Sequence, residues 1–174
     1  MSEQKTSSRV MKALSQVPTD LKMLAEAYGL RVEETTIRGS SAIVVPREGN
    51  DGPVIEINVM DTERTKRFSL AYELARWVLG RDKLLEQSEG RRSPGGPLKP
   101  VRHDSQSAGD RGLIDASIGE ETVRINRIAS EILMPTEFLI KHYHDKGRDL
   151  IRTAEAYQVS AEAVRSKLAS RREI

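Results

Sequence analysis

Glu73 and Arg76 stand three residues apart in the run Tyr72-Glu73-Leu74-Ala75-Arg76. On a helix that spacing puts a carboxylate and a guanidinium on one face. A glutamate so placed can act as a general base when a proton is brought to it, and the Tyr72 phenol can donate a hydrogen bond. The Arg76 guanidinium keeps its charge at any physiological pH, so it calls for a carboxylate: Glu73 itself, or Glu120, Glu121 or Glu131. A salt-bridged network holding two helices together therefore outweighs a catalytic centre, because a base without an activated water has little to act on. Other reactive groups are sparse. With no cysteine, thiolate nucleophiles and thiolate metal sites are excluded. Of the histidines, His142 and His144 are two apart on an expected helix and diverge, while His103 lies in a Pro- and Gly-rich stretch.

The elements that must position these groups can be read from the pattern of apolar residues. Residues 19–28 predict an amphipathic helix through Leu21, Leu24, Ala25 and Tyr28, capped by Thr19 or Asp20 and ended by Gly29. Strands are expected at 30–37, 41–46 and 53–59, joined by short Gly-, Ser- and Asn-containing turns, as a small antiparallel meander. A second helix is expected over 66–79, stopping at Gly80, with Phe68, Ala71, Ala75, Val78 and Leu79 as its buried stripe. It is apolar along most of its length, which predicts a central position. Residues 87–119 carry few core-forming side chains and read as a mobile insertion tacked down by Leu113-Ile114.

Order resumes with a helix at 120–133 whose inner face is Ile125, Ile128, Ala129 and Ile132. Met134-Pro135 ends it, and Thr136 is expected to cap a helix at 137–144. The last unit, within 148–172, divides into helices at 148–157 and 161–170, the second capped by Ser160. Arg165, Lys167, Arg171 and Arg172 cluster there and could meet DNA phosphates in a helix-turn-helix manner. The plainer expectation is that this helical pair packs on the core through Val164 and Leu168.

At 174 residues the chain suits a single domain spanning 1–174, large enough to bury a core without metal or disulfides. Aromatic residues make up only 4%, so that core must be aliphatic. A net charge of +2 is too mild to demand a nucleic-acid partner. No run is long and apolar enough for a membrane span, and the N-terminal residues lack an apolar signal core, so a cytoplasmic location is expected.

Several motifs in order give the chain a family resemblance. Ile55-Glu56-Ile57-Asn58 precedes Arg67-Phe68-Ser69-Leu70-Ala71, which leads into Tyr72-Glu73-Leu74. Far downstream come Asn126-Arg127-Ile128-Ala129-Ser130-Glu131-Ile132-Leu133-Met134-Pro135, then Tyr157, Val159-Ser160 and Lys167-Leu168. In this order the chain resembles the ImmA/IrrE family of zinc-peptidase-like proteins, over roughly residues 18–170 apart from 87–119. In such proteins a His-Glu-x-x-His run puts two histidines on one helical face around a zinc ion, and the glutamate acts as general base.

The resemblance implies that Tyr72 and Arg76 occupy the two ligand positions and Glu73 the base position, which is then vestigial. It places the third, carboxylate ligand just before Asn126, where Thr122 or Arg124 stands. Neither replaces a carboxylate, and an arginine in the cage would repel the ion. The expectations are therefore an α+β fold, with a small antiparallel sheet on a central zincin-like helix and a helical C-terminal half. No cofactor is expected, although the family's is zinc. The expected function is that of a catalytically degenerate regulatory protein that binds another protein, such as a repressor, antitoxin or phage or mobile-element component, within a stress response. Two readings stand beside it: an active peptidase with an unorthodox site, and a DNA-binding regulator using the C-terminal helices.

Overall fold

A computed structural model describes residues 3–47, 52–90 and 116–174. The order of elements is α1 (Glu3–Leu14), α2 (Leu21–Ala27), β1 (Arg31–Thr35), β2 (Ala42–Val45), β3 (Val54–Asn58), α3 (Glu63–Gly90), α4 (Ala116–Leu133), α5 (Thr136–Asp145), α6 (Leu150–Tyr157) and α7 (Ala161–Ser170). This is an α+β fold with a helical C-terminal half. Among the described residues no helix is long and apolar enough to cross a membrane.

Local chemistry sets the boundaries of α2. The Asp20 carboxylate accepts the Met23 N–H at 2.9 Å and caps the start. At the other end Gly29 takes φ +77°, and the chain reverses through Leu30 N–H to Ala25 O and Gly29 N–H to Glu26 O. Glycine adopts that conformation without a Cβ penalty, which is why the helix stops there.

The three strands lie where the sequence places them, but the sheet is mixed rather than an antiparallel meander. Its order is β1-β3-β2, with β1 parallel and β2 antiparallel to β3. Burial explains the order. Val54, Ile55 and Ile57 of β3 are buried, so the most buried strand takes the centre, and the polar β1, Arg-Val-Glu-Glu-Thr, is left at an edge. The Asn58 side chain holds this crossing in place by donating to Ile37 O at 3.0 Å and Ser40 O at 3.2 Å.

Helix α3 packs on β2, β3 and α4. Leu70, Ala71, Tyr72, Glu73, Leu74 and Ala75 are all buried, so the helix is enclosed all round here, in keeping with its expected central position. Of the expected stripe, Ala71 and Ala75 are fully buried and Leu79 packs against the core, but Phe68 is 42% and Val78 46% exposed, and Leu70, Leu74 and Trp77 are buried as well. Gly80 breaks the helical geometry where the sequence places the end, and the chain resumes as helix to Gly90.

The reading of 87–119 as one insertion is corrected at its ends, because 87–90 belong to α3 and 116–119 to α4. Leu113-Ile114 and His103 lie outside the described residues. Thr136 does not cap α5. It is the first residue of the helix, Pro135 precedes it without a side-chain cap, and Glu131 accepts both the Thr136 N–H at 2.7 Å and its hydroxyl at 3.0 Å. The carboxylate one turn back in α4 satisfies the donors that a cap would have served. The C-terminal pair follows its sequence signals. Asp149 caps α6, Gln158 closes it in a left-handed conformation, and the Ser160 hydroxyl accepts Ala163 N–H at 3.1 Å.

Candidate functional site

The central turn of α3 presents Tyr72, Glu73 and Arg76 together, beside the first half of α4. Burial decides their chemistry. Glu73 is only 5% exposed, and a carboxylate at that depth needs a partner. Arg76 supplies it: its Nη1 donates to both Oε1 and Oε2 of Glu73, each at 3.0 Å. The guanidinium is a quarter exposed, so it bridges from solvent to the buried carboxylate. The spacing of three residues, which is all the sequence offers, is sufficient for this pair.

Tyr72 is buried against Phe68, their ring centroids 6.2 Å apart. Burial pushes its phenol above the ordinary tyrosine value. Arg76 pulls it down, while Glu73 and Glu121 push it further up. The phenol thus stays protonated at neutral pH, and the same influences place the Glu121 carboxylate of α4 within electrostatic reach. Thr122 is half-buried and Arg124 exposed, so neither position opposite α3 offers a carboxylate.

A zinc ion does not fit these residues. A tetrahedral site needs imidazole, thiolate or carboxylate donors. Here one expected ligand position is a protonated phenol, one is a permanent cation and one is a threonine. The remaining carboxylate, Glu73, already accepts two charge-assisted bonds. Among the described residues no three His, Asp or Glu side chains converge to hold a metal.

The other candidates are dispersed. His142 is half-buried and sets its ring edge-on to Tyr157, with centroids 5.6 Å apart, while His144 faces outward and contacts Glu173 at 3.2 Å. The two histidines diverge as their spacing requires. Arg165 is exposed and lies 3.8 Å from Glu162, and Arg171 and Arg172 are also exposed.

Lys167 is different, and its assignment as a phosphate contact is corrected. Its side chain is 8% exposed and donates inward to Glu131 at 2.7 Å and to Ser130 O at 3.0 Å. Glu131 is likewise not a partner for Arg76. Burial would raise the Glu131 carboxyl, but hydrogen bonds from Lys167 and Thr136 together hold it below the usual carboxylate value. Burial holds the Lys167 ammonium below its ordinary value although Glu131 pulls it up. The two partners thus shift in ways that partly cancel. The pair is a geometric clamp of α7 on the α4–α5 corner, with a modest net gain.

Two further long-range hydrogen bonds escaped the sequence reading. Arg67 Nη2 donates to Thr19 O at 3.2 Å, and the Thr19 hydroxyl donates to Leu133 O at 3.4 Å. Together they tie α3, the entry to α2 and the end of α4 around the site. Residues 48 and 114 positions apart carry no local signal of such contacts.

Residues 106–169 match the family model of the IrrE N-terminal-like domain. This agrees with the ImmA/IrrE resemblance. The matched range takes in most of α4 to α7 and does not include Tyr72–Arg76. No curated protein matches the chain. Among solved structures, one similar chain is described as a Mycobacterium tuberculosis transcriptional regulator, at 13% identity and a TM-score of 0.51. The alignment covers 92% of this chain and 44% of that one, so the present chain spans less than half the length of that regulator. The likeness is one of fold.

Proposed function

We propose that this chain is a regulatory protein built on a peptidase-type scaffold, acting by binding another protein rather than by zinc-dependent cleavage. The observation that carries the reading is the closed Glu73–Arg76 pair. The one carboxylate in the position of a general base is buried and accepts from a fixed cation at both oxygens, so it is already held in a charge pair. The match to the IrrE N-terminal-like domain and the regulator-like fold support a regulatory role; the partner class of this proposal is a repressor, an antitoxin or a phage or mobile-element component. DNA contact through α6 and α7 is weakened as an alternative, because Lys167 is turned into the core and Arg165 lies beside Glu162.

Metal analysis tests the reading. Protein purified without chelator and dialysed against zinc-free buffer is expected to hold far less than one zinc per chain. Incubation with unfolded casein is expected to give no cleavage that 1,10-phenanthroline suppresses. Tightly held stoichiometric zinc, or chelator-sensitive cleavage, would overturn the proposal and restore the peptidase.

A further inference from the structure

β1 lies at an edge of the sheet, and the ladder to β3 fixes which of its backbone groups face that edge. Arg31 N–H donates to Pro53 O at 3.1 Å, and Thr35 O accepts Val59 N–H at 2.9 Å. Groups alternate along a parallel ladder, so Arg31, Glu33 and Thr35 are committed to β3. Val32 and Glu34 therefore turn their N–H and C=O groups outward. Beside this edge runs a groove lined by Lys22 and Glu26 of α2 and by Arg31, Val32 and Glu33 of β1. The edge is therefore not filled by the neighbouring helix. An edge strand with outward backbone groups is a template for a further strand.

We propose that the strand it takes is β1 of a second copy of this chain, added antiparallel across a two-fold axis through Val32. Charge decides the register. An axis through Glu33 or Glu34 sets two carboxylates opposite each other, and one through Arg31 sets two guanidiniums opposite each other; directly opposed like charges destabilise a strand pair. An axis through Val32 sets valine against valine and puts each Arg31 opposite Glu33 of the second copy, on the same face of the sheet.

Backbone geometry selects the same register. Val32 presents both its N–H and C=O outward, so the symmetric pair exchanges two hydrogen bonds. The Glu34 N–H can then reach the Leu30 carbonyl of the second copy, while the Leu30 N–H is already held by Ala25 O at 2.9 Å. Glu33 has an oxygen to offer, because only Oε2 accepts from Arg47. The interface is isologous, as a closed two-fold dimer requires.

Sedimentation velocity over a micromolar concentration series tests the proposal on the full chain. The wild-type chain is expected to form a dimer. Val32→Pro removes the outward N–H at an edge position where proline is tolerated, leaving the ladder to β3 intact. It is expected to weaken association at least about tenfold. R31E and E33R are each expected to weaken it similarly by opposing like charges, and the double swap to restore it. Circular dichroism and melting confirm which variants are folded. A wild-type chain that stays monomeric overturns the proposal. So does a dimer indifferent to Val32→Pro, or a folded double swap that dissociates like the single variants. If E33R unfolds through loss of the Arg47 contact, the Val32→Pro result alone decides.

Discussion

At the residue scale, the chemistry of this chain turns on what is done with one buried charge. Glu73 is enclosed on α3, and Arg76 is the partner that makes its ionisation tolerable. Truncating one member of a buried pair leaves the other uncompensated, at a cost of about 3–5 kcal/mol. The Arg76 side chain is 26% exposed, so solvent screens part of that. Arg76→Ala is therefore expected to lower unfolding stability by about 2 kcal/mol, measured by urea denaturation. Glu73→Gln is expected to cost less, because it removes the buried charge while keeping volume. The double variant should then cost less than the sum of the singles, and additivity within error would show that the pair is not coupled. The pairing was legible from a spacing of three residues. The burial that gives it weight was not, because it comes from β2, β3 and α4 closing over α3, and nothing in the run Tyr72–Arg76 encodes that enclosure. Lys167 makes the same point in reverse. Its sequence neighbourhood is basic and looks solvated, yet Glu131 and Ser130, far away in the chain, draw it inward.

At the element scale, local chemistry was the most legible part. Asp20, Gly29, Ser160 and the break at Gly80 mark helix boundaries because caps and left-handed turns are satisfied within a few residues. Strand positions were legible for the same reason. Strand order was not, since which strand takes the centre depends on comparing the burial of β3 with that of β1 across the whole sheet. The α4–α5 corner shows where local reading fails: Thr136 looks like a cap, but the Glu131 carboxylate does the capping from the preceding helix. The α6–α7 turn offers a paired test. Gln158 closes α6 at φ 57°, a conformation that costs a residue with a side chain roughly 1–2 kcal/mol and glycine little. Gln158→Gly is expected to stabilise the protein by about 1 kcal/mol. Ser160→Ala, which deletes the bond to Ala163 N–H, is expected to destabilise it by about 1 kcal/mol. Thermal melts of the two variants should shift in opposite directions. If both lower the midpoint, the left-handed strain at Gln158 is being relieved by contacts that its side chain makes.

At the scale of the whole molecule, the helical C-terminal half is held by a core in which two polar atoms have no partner among the described residues. Tyr157 is fully buried, and neither its hydroxyl nor Nε2 of the neighbouring His142 finds a hydrogen bond. Burial pushes the Tyr157 phenol up to about 12, so it is neutral throughout the physiological range. Burial also pulls His142 below its ordinary value of 6.5; Lys146 lowers it further, and Asp145 works the other way. The sign follows from linkage. A group whose pKa is lower folded than unfolded binds fewer protons in the folded state. Its contribution is present above 6.5, the unfolded reference, and is lost as pH falls through the lower folded value. Acid should therefore weaken α5 against α6 in this window, before Glu131 begins to protonate below its own ordinary value of 4.5. Glu131 then adds a second loss of the same sign, because its folded value is also depressed. Replacing His142 by phenylalanine keeps the edge-on ring contact with Tyr157 and removes the titration. Melting midpoints followed from neutral pH down to the carboxylate range should fall for the wild-type chain in the upper part of the window. They should stay nearly level there for His142→Phe, and the two should fall in parallel only once Glu131 titrates. Parallel curves over the whole range would mean that His142 takes up its proton as readily folded as unfolded, and that the contact with Tyr157 gives the fold no sensitivity to acid.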